Sequence, residues 1–132
     1  MRIIADTNVL VRAALQDDPR QGPRAKRVLE EAEQVIVSRH ALCEFIWVLS
    51  HSYRLPRTEI AAAMDKLLNS KNVIVDNAAV NAGFRAMEGG ADFADGVIAY
   101  EGAWLGGDTF VSFDKKAVEA LGVQGLKAEL LR

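Results

Sequence analysis

The chain has 132 residues, half of them hydrophobic and 26% charged, with a formal net charge of −2. That composition suits one domain, residues 1–132, with a buried core; it is too short for two comfortable domains and too apolar for disorder. Binding of nucleic acid by bulk positive charge is excluded, and a single cysteine, Cys43, excludes an internal disulfide and a cysteine-rich zinc site.

The elements follow in chain order. Ile3-Ile4-Ala5 reads as a short buried strand that stops at Asp6. Thr7 and Asn8 follow, and a short helix is expected from Val9 to Leu15. Asp17-Asp18-Pro19 and Gly22-Pro23 carry turn chemistry. Pro23 suits the first turn of a helix running to about Ala32. Arg20, Arg24, Lys26 and Arg27 make that corner basic, either as a solvated helix face or as a surface for phosphates near Asp6. Gln34 to Val37 is a second strand, and Ser38 is placed to cap the next helix. That helix, Arg39 to Tyr53, turns Leu42, Phe45, Ile46 and Leu49 inward and carries Glu44.

Pro56 to Leu68 is a further helix, with Ile60, Ala61, Met64, Leu67 and Leu68 as its apolar face. Val73-Ile74-Val75 is a third strand. Asp76 or Asn77 caps a helix that Gly89-Gly90 ends. Asp92 caps the next, placing Asp95 in its first turn, and that helix runs through Trp104 to Gly106-Gly107. Thr109 to Ser112 is a fourth strand, closely followed by Asp114 and a helix from Lys115 to Leu121. Residues 123–132 suit a short edge strand or a last helical turn. Strands alternating with helices predict an α/β fold with a mainly parallel sheet. In such sheets ligands bind beyond the carboxyl ends of the strands.

Four acids share that setting. Asp6 and Asp114 follow strands; Glu44 and Asp95 lie early in helices, where the dipole favours an anion. Each position also suits an ordinary capping or turn-starting role. As a set they say more, because four neighbouring carboxylates cannot all stay ionised without a counter-charge. Carboxylate oxygens suit Mg²⁺ or Mn²⁺, and no Cys or His belongs to the set. Such a cluster can support phosphodiester cleavage with one or two ions.

The residues around these acids resemble a known family. Met1 to Leu10, Glu44-Phe45-Ile46-Trp47-Val48-Leu49, Asp92-Phe93-Ala94-Asp95-Gly96-Val97-Ile98-Ala99 and Phe110-Val111-Ser112-Phe113-Asp114-Lys115-Lys116 are similar to the four motifs of PIN-domain ribonucleases. Order, spacing and length are most like the VapC-type toxins of bacterial toxin–antitoxin pairs. The resemblance implies a three-layer α/β/α sandwich, Mg²⁺- or Mn²⁺-dependent cleavage of single-stranded or structured RNA, a homodimer and inhibition by a cognate antitoxin. It implies Asp6, Glu44, Asp95 and Asp114 as the catalytic, metal-holding tetrad and Asp92 as an accessory metal-holding acid. Thr7, Asn8 and Ser112 would orient carboxylates or waters. Gly96 stands where alanine is commoner, which predicts a looser helix start; Ser112 replaces a commoner threonine and keeps the hydroxyl.

Arg12, Lys115 and Lys116 are candidate phosphate contacts or ordinary surface charge. His40 and Glu44 have the spacing of a zinc pair without the third ligand. Trp47 and Trp104 could stack bases, but core or dimer-interface packing is the expectation. Asp6 and Asn8 interrupt any signal-peptide core, and no apolar run approaches ~20 residues, so a cytoplasmic protein without a membrane partner is expected. A housekeeping RNA-processing nuclease and a non-cutting PIN-like scaffold are the alternatives. Growth arrest reversed by a neighbouring small gene separates a toxin from the first, and Mg²⁺-induced stabilisation separates a nuclease from the second.

Overall fold

The structure is a computed structural model that describes all of residues 1–132. It divides into two compact units, Met1–Val75 and Asp76–Arg132.

In the first unit the elements are β1 (Arg2–Ile4), α1 (Thr7–Leu15), α2 (Gln21–Glu31), β2 (Gln34–Ile36), α3 (Arg39–Trp47), a π-helical turn (Val48–Ser52), α4 (Arg57–Leu68) and β3 (Val73–Ile74). The three strands form one parallel sheet in the order β1-β2-β3. Parallel neighbours need long crossovers, and the helices supply them. The caps are local and follow from single residues. Asp6 starts α1 by accepting the Thr7 N–H at 2.8 Å. Ser38 starts α3 by accepting the Ala41 N–H at 3.1 Å. Leu42, Phe45, Ile46 and Leu49 are buried as their spacing predicts, together with Leu10, Val35, Ile60 and Met64.

Several boundaries shift by a residue or two, and two of the shifts bear on the motif acids. Helix α1 begins at Thr7 because the Asp6 cap lies there. The helix expected to run smoothly to Tyr53 changes to π geometry at Val48. The opening strand also departs from expectation. Ile3 is partly covered, but Ile4 is 83% exposed. Successive strand residues point to opposite faces, so an apolar pair covers both faces only if both are packed.

In the second unit the elements are α5 (Asn77–Glu88), α6 (Phe93–Trp104), β4 (Phe110–Ser112), α7 (Lys115–Val123) and β5 (Ala128–Leu130). Asp76 caps α5, accepting the Ala79 N–H at 3.1 Å. β4 and β5 pair in parallel, Phe110 with Ala128 through Ser112 with Leu130, which settles the closing segment as a short strand. Ala86, Ala91, Ala117, Ala120 and Leu121 form a core of small side chains.

Small residues also set how closely α5 and α6 approach. A Cβ on Gly96 would lie 2.2 Å from the Ala82 carbonyl oxygen, and one on Gly83 would lie 2.4 Å from the Phe93 ring. Gly96 therefore does not loosen the start of α6; it lets that helix seat against the α5 backbone. Gly96→Ala is expected to destabilise the protein by ~1–3 kcal/mol, as overpacking does, and urea unfolding would measure it as a lower midpoint at unchanged slope.

Candidate active site

The first unit carries the first two motifs. Asp6 is exposed at the end of β1, and its Oδ1 is engaged by the α1 cap. The next residue, Thr7, is the one buried polar side chain of the protein. Its hydroxyl donates to Glu44 Oε1 at 3.1 Å. That bond spans 37 residues of sequence and joins the β1–α1 turn to α3. Hydrogen bonds to a charged acceptor are worth more than neutral ones, and this one fixes the rotamer of the Glu44 carboxylate. His40 Nε2 lies 3.1 Å from the same Glu44 oxygen. No third His, Cys, Asp or Glu stands beside the pair at metal-holding spacing.

Asn8 faces a cleft of ≈370 Å³ that Arg12, Gln21 and Arg24 also line. Arg12 is held by three acceptors: Gln21 Oε1 at 2.9 Å, the Tyr53 hydroxyl at 3.0 Å and Asp17 Oδ1 at 3.3 Å. The Tyr53 hydroxyl, and after it Asp17 and Asp18, favour its charged form. Backbone N–H groups of Gln21 and Arg20 hold the Asp18 carboxyl below the usual range. Sequence reasoning flagged Arg12 and missed the Tyr53 and Gln21 partners, because nothing local links residues so far apart in the chain.

The second unit carries the other two motifs. Asp92 precedes α6, and its backbone N–H donates to Asp95 Oδ2 at 3.1 Å, the returning half of a capping box. Asp114 caps α7, its Oδ1 accepting from Lys116 N–H at 3.0 Å and Ala117 N–H at 3.3 Å. Ser112 Oγ accepts the Asp114 N–H at 2.9 Å. The serine thus sets the backbone of the acid, not the carboxylate itself. Lys115 is exposed with its ammonium 3.9 Å from Glu119, and Lys116 is exposed.

Asp95 is the acid whose proton affinity the fold changes. Burial raises its pKa most, the Asp92 N–H lowers it, and repulsion from the Asp92 and Asp114 carboxylates raises it further. The acids of the third and fourth motifs are therefore near enough to feel one another. No three His, Cys, Asp or Glu side chains are gathered at metal-holding spacing. The donor chemistry, carboxylate oxygens under mutual repulsion, fits a hard divalent cation.

Trp47 and Trp104 are not core residues. They are 57% and 75% exposed, and the Trp104 indole N–H donates to the Tyr100 hydroxyl at 2.8 Å.

A raised carboxyl pKa has a stability consequence of definite sign. Asp95 favours the folded state fully below the unfolded Asp value, and that contribution disappears as pH rises through the folded pKa. At neutral pH the ionised group therefore opposes folding. Asp95→Asn, which keeps an oxygen for the Asp92 N–H, is expected to raise the melting temperature at pH 7. The advantage should shrink to nothing as pH falls below the ordinary Asp range, measured by thermal unfolding across pH.

The PIN domain family model matches residues 3–120. Among solved structures, the chain is similar to the crystal structure of Mycobacterium tuberculosis VapC20, a sarcin-ricin loop cleaving toxin. The two share 20% identity over 93% of this chain and 95% of that one, with a TM-score of 0.44. No curated protein matches the sequence significantly. Parallel strands joined by helices, acids that follow two of the strands, and a family match over nearly the whole length agree, and the chain belongs to the PIN-domain family.

Proposed function

We propose that this chain is a Mg²⁺- or Mn²⁺-dependent endoribonuclease, that residues 1–132 act as one PIN domain, and that it is the toxin of a toxin–antitoxin pair. In that reading it forms a homodimer, works in the cytoplasm and is silenced by a cognate antitoxin. The observation that carries the reading is the coupling of acids across motifs. Thr7, beside Asp6, is bonded to Glu44, and Asp95 feels the charge of Asp114. Acids that only cap their own helices need no such coupling. RNA as substrate rests on the likeness of the four motifs to VapC-type toxins.

By the likeness of the four motifs, Asp6, Glu44, Asp92, Asp95 and Asp114 are the acids that would hold the ion. When bound, a divalent ion neutralises charge on the phosphate and lowers the pKa of water. The protein's own groups do the rest. Thr7 keeps Glu44 in one rotamer. Ser112 and the α7 N–H groups keep Asp114 in place. Asp95, partly buried and beside other carboxylates, resists ionisation without a counter-charge, which favours a bound cation. Arg12 and Arg24, on the cleft beside Asn8, offer charge to the RNA backbone. A guanidinium already fixed by neutral and acidic partners loses little freedom when it meets a phosphate.

The test is cleavage of an RNA oligonucleotide with Mg²⁺ or Mn²⁺. Cutting is expected to stop with chelator and with Asp6→Asn or Asp95→Asn. Thr7→Val, which frees Glu44, is expected to reduce the rate by ~10–100-fold, the usual cost of losing a partner that orients a metal ligand. Undiminished cutting by both Asn variants would falsify the assignment.

A further inference from the structure

One stripe of α3 and the π-helical turn carries His40, Glu44, Trp47 and His51, spaced to recur on one side of a helix, and all four are exposed. The opposite side, with Ala41, Leu42, Phe45, Ile46 and Leu49, is buried. Trp47 and His51 lie ring on ring, their centroids 4.8 Å apart and their planes 12° from parallel. His51 Nδ1 is 3.2 Å from the Trp47 carbonyl oxygen. A carbonyl oxygen can only accept, so Nδ1 carries the proton and donates. The imidazole is thereby pinned over the indole. The π-helical turn begins at the residue after Trp47; such turns are rare and occur often at functional sites.

Trp47 is 57% exposed although His51 covers one of its faces, so the other face is open. Its exposed neighbours on the stripe and turn, His40, Glu44, His51 and Ser52, are polar. A lone flat ring on a polar surface lacks the contiguous apolar patch of a protein–protein interface. It has the makings of a nucleic-acid stacking platform, where each base offers a π face and stacking contributes most of the contact. Trp47 follows Glu44 by three residues, a rise of ~4.5 Å along the helix, within reach of a nucleotide adjoining that carboxylate.

We propose that Trp47, braced by His51, is a stacking platform for an unpaired base of the RNA next to the scissile phosphate. The proposal rests on the nuclease reading for its substrate class. The platform takes bases of any identity, and it excludes a base already stacked within a duplex.

The test is fluorescence of Trp47 in a Trp104→Phe background, titrated in chelator with a single-stranded oligoribonucleotide, the same strand in a duplex, and the same strand with abasic positions. Saturable quenching by the intact single strand alone is expected. Trp47→Ala should weaken single-strand binding by about tenfold, and Trp47→Tyr should restore most of it. Equal quenching by duplex or abasic strand would overturn the proposal, as would unchanged affinity in Trp47→Ala. Dissociation of a dimer by Trp47→Ala with RNA binding intact would also overturn it and assign the ring to a second copy of the chain. Single-strand quenching without Mg²⁺-dependent cutting would sink the nuclease reading and leave the platform standing. Cutting with RNA affinity unchanged in Trp47→Ala would do the reverse.

Discussion

The cost of ionising a half-buried carboxyl among other carboxylates is the constraint on which the site depends. Burial, and after it repulsion from the Asp92 and Asp114 carboxylates, raises the cost of ionising Asp95. A fold that kept such a group without use would lose stability at neutral pH for nothing. The acids are tolerated because most have a local structural task. Asp6 and Asp114 cap α1 and α7, and Asp95 closes the capping box of α6. Backbone N–H groups at helix starts offset negative charge, so the fold can hold these acids in fixed positions before any cation arrives. This double duty also makes Asp→Asn the informative substitution. Asparagine caps helices about as well as aspartate, so the variant removes charge and leaves the helix start intact.

The hydroxyls add orientation. Thr7 reaches across 37 residues to Glu44, and Ser112 holds the backbone at Asp114. Each sits next to or near a motif acid in sequence, and each acts on a different acid or on a different part of it than adjacency suggests. Loss of one such bond leaves the fold with its core unchanged and the carboxylate free to rotate, which separates a positioning defect from a folding defect.

Much of this was legible in the sequence because the signals are local. A cap needs one side chain and the N–H groups one turn ahead, so Ser38, Asp76 and Asp92 could be read from the order of residues, whereas Asp6 and Asp114 read as strand-ending acids and proved to be caps as well. The buried stripe of α3 was legible for the same reason, since helical spacing alone defines it. What needed the structure was non-local or depended on packing. The Thr7–Glu44 bond and the Tyr53–Arg12 bond join distant positions. Gly96 read as a weak helix former, and its purpose emerged only where the Ala82 carbonyl lies against it. Ile4, and the core placement weighed for Trp47, misled because hydrophobicity predicts the inside better than exposure excludes it: apolar atoms make up over half of a typical folded surface. The π-helical turn has no periodic signature that distinguishes it from the α-helix it interrupts.

The claim that burial and neighbouring carboxylates prepare Asp95 for a cation is most directly tested at that side chain. A ¹³C NMR titration of its side-chain carboxyl, with and without Mg²⁺, reads the proton affinity of that one group. The account predicts a midpoint above the ordinary Asp value in the ion-free protein and a clear fall when Mg²⁺ saturates the site. A midpoint at the ordinary value without the ion, or one that Mg²⁺ leaves unmoved, would contradict it.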